Sequence, residues 1–133
     1  MSFEFGSRSL GCLEGCAPPL VRVMVRALSL GVMDFSVLEG HRGEEAQNRA
    51  VEAGRSTLLW PAGKHNRLPS EAVDVAPHPI NWKDRERFVL LAGVILAAAA
   101  LEGVAIRWGG DWDSDGFMTD ESFRDLGHFE LAT

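Results

Sequence analysis

The sequence has no excess of positive charge. It carries 13 Lys and Arg residues against 19 Asp and Glu residues, which gives a formal net charge of −6, and no basic run interrupts this balance. Proteins that bind nucleic acid or anionic surfaces through bulk charge usually show a basic patch or stripe. We therefore expect no nucleic-acid partner, and we expect any binding to depend on a local site.

Long hydrophobic runs are also missing. The longest apolar stretch, FVLLAGVILAAAAL, spans 14 residues from Phe88 to Leu101, whereas a transmembrane helix needs about 20. The N-terminus, MSFEFGSRSLG, lacks the basic start and apolar run of a signal peptide. These features predict a buried core helix and no insertion into a membrane.

Cysteine is scarce. Cys12 and Cys16 stand four positions apart in CLEGC. They could ligate a metal or form a redox pair, but no second Cys or His pair lies nearby. Small buried residues in a reducing compartment explain them better.

The pattern of the chain predicts one α+β domain over residues 1–133, with a small, mostly antiparallel sheet backed by helices. Apolar spacing, Gly and Pro positions and acidic starts indicate helices over residues 18–30, 43–53 and 83–103. Alternating or short apolar runs indicate strands over 34–39, 72–76, 104–108 and 128–131.

Two long loops, residues 55–69 and 109–124, are unusual in so small a domain and are more often functional than not. The first delivers His65 just before the strand AVDVA, which carries Asp74 at its centre. The second leads to Asp125 and, three residues later, His128. Neither His65 nor Asp74 suits its place on fold grounds alone.

Alternation within the strands places these side chains on one face. Asp74 points away from its valine neighbours, and in HFEL the side chains of His128 and Glu130 point away from the apolar ones. A mid-strand carboxylate is expensive to bury unless it is paired or bound to metal. With His65 reaching over from its loop, two imidazoles and one carboxylate form a zinc set with an open fourth position, which is the catalytic arrangement.

Asp125 can approach that open position without ligating, as proton transfer during hydrolysis requires. The structural alternatives are that Asp74 caps a segment or pairs with Arg42, and that His128 is an ordinary half-buried histidine.

At these residues the chain resembles the phage-type peptidoglycan peptidases, the group of L-alanyl-D-glutamate endopeptidases and D-alanyl-D-alanine carboxypeptidases (peptidase M15). The resemblance covers nearly the whole chain and includes the segments SFEFGSRS, LEGHR–GEEAQ, KHNRLPSEAVDVAP, IRWGGDWD and DLGHFEL. It implies the Hedgehog/DD-peptidase fold, one zinc ion per chain held by His65, Asp74 and His128, and Asp125 as the catalytic base.

The resemblance further implies an endolysin that cuts an amide of the bacterial stem peptide. L-alanyl-D-glutamate is the expected bond, and a D-alanyl-D-alanine carboxypeptidase of the same fold is the alternative. Such a protein is expected to be monomeric and to wait in the host cytoplasm until a separate membrane pore releases it to the wall. The chain leaves no room for a separate wall-binding domain, so the cleft must bind the substrate.

Some positions depart from the family pattern. Asp74 follows His65 by nine positions, two more than the commonest family spacing, and Gly63 and Ser70 replace expected motif residues. We interpret this as a loop insertion. If the alignment is shifted, His41 and His78 are the substitute ligands.

Arg42 and Gln47 match family positions after the strand DFSVLEG. A guanidinium near the metal can hold a substrate carboxylate or a developing oxyanion, which makes Arg42 a catalytic candidate and Gln47 a substrate-binding one. A salt bridge from Arg42 to Glu39 or Glu44 is the structural alternative.

The loop that carries Asp111, Asp113 and Asp115 reads D-x-D-x-D-G, like the opening of an EF-hand calcium loop. Its twelfth position is Ser122 instead of the bidentate Glu, so a solvated acidic turn competes with calcium binding, and a non-catalytic calcium module remains an alternative function. Trp108 and Trp112 either line a substrate groove or pack on the long helix.

Overall fold

The computed structural model describes residues 2–119 and 124–132. Within them lie four α-helices, α1 (Ser7–Glu14), α2 (Pro18–Ser29), α3 (Glu44–Glu52) and α4 (Arg85–Glu102), and a 3₁₀ turn, Lys64–Asn66. Four strands accompany them: β1 (Phe35–Glu39), β2 (Ala72–Pro77), β3 (Ile106–Trp108) and β4 (His128–Leu131). The predicted α+β class is confirmed.

The four strands form one antiparallel sheet in the order β1-β2-β4-β3. Val73 and Val75 of β2 and Phe129 of β4 are almost fully buried and face the helices. Because side chains alternate across a strand, Asp74 and His128 point to the opposite face. The register pairs Asp74 directly with His128, so one sheet face builds the core and the other builds a polar site.

Helix α4 is the buried core helix that its apolar sequence predicts. Its side chains Phe88, Leu91 and Ile95 are at most 4% exposed, and it packs on α2 and on the sheet. Asp84 caps its first turn, and Gly103 ends it with φ 68°, a left-handed conformation that favours glycine. None of the helices in the described part of the chain is long and apolar enough to cross a membrane.

Helix α1 is absent from the sequence prediction. It is short, contains Gly11 and has no side-chain cap, so its local propensity is weak. Tertiary contacts fix it instead: Leu13 is buried, and Ser9 Oγ accepts a hydrogen bond from Val37 N of β1 at 3.0 Å.

The two cysteines lie where α1 meets Gly40 at the end of β1. Cys16 is buried, Cys12 is partly buried, and Cys16 Sγ donates to Cys12 O at 3.3 Å. Burial raises the pKa of Cys16 to about 11, which keeps the thiol protonated. A Cβ on Gly40 would lie 2.6 Å from Cys12 O and 2.8 Å from Cys16 Sγ, so only glycine allows this approach.

Candidate metal centre

Three side chains converge above the polar face of the sheet. Asp74 and His128 come from paired positions on β2 and β4, and His65 comes from the 3₁₀ turn. Asp74 Oδ1 lies 3.3 Å from His65 Nε2 and 3.2 Å from His128 Nδ1. One nitrogen or oxygen from each residue lies within 4.8 Å of the other two.

In each imidazole, the ring nitrogen that faces away from Asp74 (the outer nitrogen) is already hydrogen-bonded. His65 Nδ1 lies 2.7 Å from Gly40 O, and His128 Nε2 lies 2.8 Å from Glu130 Oε1. A carbonyl and a carboxylate only accept hydrogen bonds, so both outer nitrogens must carry the proton. The two inner nitrogens then present lone pairs toward the Asp74 carboxylate.

Three acceptors that face one another need a cation between them. A divalent metal satisfies this requirement, and two imidazoles with one carboxylate are a donor set typical of catalytic zinc. Without metal, a proton takes that role. Burial alone would lower the pKa of His128, but hydrogen bonds to Asp74 and Glu130 raise it to about 9. Burial alone would raise the pKa of Asp74, but hydrogen bonds with His128 and His65 hold it well below its usual range.

Arg42 holds the second oxygen of Asp74. It is 8% exposed, and its Nη2 donates to Asp74 Oδ2 at 3.3 Å. Its Nε and Nη2 also form a two-point salt bridge with Glu39, at 2.7 and 3.1 Å. The structural alternatives for Arg42 and Asp74 are therefore both present, and the guanidinium is directed at the metal-site carboxylate.

Gln47 is buried beneath the site and does not face the solvent. It is 1% exposed, its Oε1 accepts from Arg42 Nη1 at 3.0 Å, and its Nε2 donates to Ser56 Oγ and Leu58 O. Its amide is thus occupied in joining Arg42 to the loop after α3. Direct substrate binding by Gln47 stays a prediction, although this amide already forms a structural link within the protein.

Asp125 lines the cleft beside the three donors. Its backbone N donates to Gly109 O at 2.8 Å, and its carbonyl accepts from His128 N at 3.1 Å, which fixes it relative to β4. A side chain on Gly109 would overlap the Asp125 carbonyl. Burial raises the pKa of Asp125, and the Asp74 charge adds to the rise, as suits a group that exchanges protons.

The cleft over the site has a volume of about 770 Å³. Trp112 lines it, with its ring 5.4 Å from that of His128. Trp108 does not reach it: the side chain is 6% exposed, stacks on Phe129 and donates to Leu126 O at 2.9 Å. The groove prediction for Trp108 is wrong because its indole fills the core.

The substitute ligands lie outside the centre. His41 and His78 are both exposed, and neither belongs to a metal-holding group in the described residues. Of these three candidates for one ligand position, His65 is the one that meets Asp74, despite its altered spacing.

Two supporting roles in the site were not predicted, although the alternation in HFEL already placed Glu130 on the face of His128. Glu130 orients His128, and its alternation with His128 in HFEL is the signal that marks it. Gly40 orients His65 through a backbone carbonyl. Every residue has a backbone carbonyl, so the sequence does not indicate which one contacts His65.

The acidic loop brings oxygens of Asp111, Asp113 and Asp115 within 4.8 Å of one another. Asp111 accepts hydrogen bonds from the backbone N of Asp115 and of Gly116, at 3.3 and 2.9 Å. These bonds also fit a solvated acidic turn. Ser122, the twelfth position of the calcium-loop pattern, lies outside the described residues.

Comparisons with known proteins agree with one another. A family model described as phage L-alanyl-D-glutamate peptidase matches residues 1–132. The L-alanyl-D-glutamate peptidase of Escherichia phage T5 is 36% identical over 140 residues, which cover 99% of this chain and all of that protein. The crystal structure of the Serratia marcescens L-Ala D-Glu endopeptidase ChiX is similar with a TM-score of 0.76 and 32% identity, over 96% of this chain and 90% of that one.

Proposed function

Because the chain belongs to the phage L-alanyl-D-glutamate peptidase family, we propose that it is a zinc-dependent peptidase that hydrolyses the L-alanyl-D-glutamate bond of the peptidoglycan stem peptide. The observation that carries the metal assignment is the pair of inner imidazole nitrogens facing Asp74. Two histidines held in this tautomer are arranged to give lone pairs to a cation.

His65, Asp74 and His128 would hold the zinc ion. When bound, zinc polarises a scissile carbonyl and increases the acidity of a water molecule. Asp125 accepts the proton of the attacking water and delivers it to the leaving amine, a role that its raised pKa and its place in the cleft support.

Arg42 acts through Asp74. Its hydrogen bonds to Glu39, Gln47 and Asp74 engage all three guanidinium nitrogens. We therefore assign it as a positioning residue that fixes the carboxylate. Trp112 forms a wall against which the peptide packs.

A role as an endolysin follows from this activity. The family model and the phage T5 relative support a phage protein that degrades the host cell wall. We propose that it stays in the host cytoplasm until it is released to the wall.

Two experiments test the activity. Digestion of purified cell walls should expose new D-glutamyl amino termini, whereas release of free D-alanine would indicate a carboxypeptidase instead. Chelation should abolish lysis and zinc should restore it. Full activity after dialysis against excess chelator would refute the zinc assignment.

A non-catalytic calcium module is the alternative from another class, favoured only by the cluster of Asp111, Asp113 and Asp115. Metal analysis of the purified protein separates the two functions. Zinc near one per chain supports the peptidase, and calcium without zinc supports the module.

A further inference from the structure

The cleft is lined by more cationic than anionic side chains, whereas the chain as a whole is acidic. The chain as a whole has a net charge of −6. Four carboxylates of the described residues line the cleft, together with five cationic side chains: Arg8, Arg42, Arg55, Lys64 and Arg124. Such a local excess favours a substrate that brings its own negative charge.

The cations of the cleft differ in what they already bind. Arg42 pairs with Glu39 and Asp74, and Lys64 lies 3.5 Å from Glu130 Oε2. Arg55, like Arg8 and Arg124, is exposed and has no carboxylate within 4.0 Å among residues 2–119 and 124–132. Its guanidinium is available to a ligand.

The backbone beside Arg55 is tied to the metal centre. Gln47 Nε2 donates to Ser56 Oγ at 3.0 Å and to Leu58 O at 2.6 Å, which fixes the cleft wall that begins at Arg55. The same Gln47 accepts from Arg42, the residue that holds the metal-site carboxylate. A charged group at a fixed distance from the reacting bond can select among substrates.

The proposed substrate offers a matching charge. A D-glutamate residue that is joined to the next residue through one carboxyl group keeps its other carboxyl group free, beside the bond that is cut. A guanidinium binds a carboxylate through two parallel hydrogen bonds, but it finds only one acceptor oxygen on a carboxamide.

We propose that Arg55 is a specificity-determining residue that binds the free carboxylate of the D-glutamate on the leaving side of the scissile bond. This inference rests on the proposed L-alanyl-D-glutamate peptidase function. It names the preferred substrates as stem peptides whose D-glutamate carries a free carboxylate instead of a carboxamide.

The test uses two stem peptides that differ only in this group and measures kcat/KM from the amino termini released by the zinc-loaded protein. The parent should prefer the carboxylate peptide by tenfold or more, about the effect of losing one charge-assisted contact. In Arg55→Gln the ratio of the two rates should fall toward one, and Arg55→Lys should restore part of it. Arg49→Gln, an equal charge change on exposed α3, should keep the parental ratio.

The possible outcomes distinguish a failure of the Arg55 role from a failure of the proposed peptidase function. A parent that cuts neither peptide would overturn the proposed function and this inference together. A parent that cuts both peptides equally, or an Arg55→Gln protein with the parental ratio, would overturn only the role of Arg55. Loss of the preference in Arg8→Gln, but not in Arg55→Gln, would also overturn it.

Discussion

The zinc affinity of the proposed centre should rise steeply with pH across the neutral range. Zinc binds an imidazole only through a lone pair, so the proton that His128 carries in the metal-free protein must leave first. Burial opposes that proton, but hydrogen bonds to Asp74 and Glu130 retain it and raise the pKa of His128 to about 9. Below pH 9, zinc and this proton therefore compete for one nitrogen.

The size of the effect follows from the position of this pKa. Below about pH 9, each zinc ion bound should release one proton from His128, and the apparent Kd should fall about tenfold per pH unit. A histidine with the ordinary pKa of about 6.5 would lose this dependence near neutrality. Between pH 7 and 8.5 the two cases differ by about 20-fold in the change of affinity.

Competition with a chelator of known affinity at pH 7.0 and 8.5 measures this change. Calorimetry in two buffers with different ionisation enthalpies counts the released protons. Glu130→Gln is the matched variant, because it keeps all three zinc donors and removes one carboxylate that raises the pKa. The zinc affinity of this variant should stop rising at a lower pH than the zinc affinity of the parent. An affinity that is constant from pH 7 to 8.5 in the parent, with no proton release, would refute the reasoning.

Three further predictions concern the same centre. In chelator, stabilisation from His128 is complete below pH 6.5 and is lost as pH rises through 9; urea unfolding should show a loss of about 3 kcal/mol, and an unchanged stability would contradict it. Asp125→Ala should keep zinc and its melting temperature but cut the peptide about 10²–10⁴-fold more slowly; zinc loss would make Asp125 a ligand. His65→Ala should lose zinc by metal analysis, whereas the controls His41→Ala and His78→Ala should retain it; the reverse would show a shifted motif alignment.

The two strand residues of the centre, Asp74 and His128, could be predicted from the sequence because the alternation of side chains along a strand is a local rule. Asp74 in AVDVA and His128 in HFEL each stand opposite core-facing residues, and the observed register pairs them. The resemblance to the family motif predicted His65 as the third ligand, in spite of its altered spacing. The convergence of the three side chains thus follows from patterns within short segments.

The placements of Trp108 and Gln47 depend on neighbours that are distant in the chain. Trp108 and Gln47 carry the right chemistry for a groove, but packing on Phe129 and hydrogen bonds to Ser56 and Leu58 turn both inward. Helix α1 escaped for a related reason, since its stability comes from contact with β1 and not from its own residues.

The tight contact between α1 and Gly40 lets the N-terminal helix support His65, a proposed metal ligand. The Gly40 backbone is held against Cys12 and Cys16, and its carbonyl fixes the ring of His65. Any change that lifts α1 from the sheet, such as a bulky fusion or a substitution that enlarges Cys16, would release that carbonyl and let the imidazole turn. The chemistry of the cleft is thus sensitive to changes at an end of the chain that contributes none of the three proposed ligands.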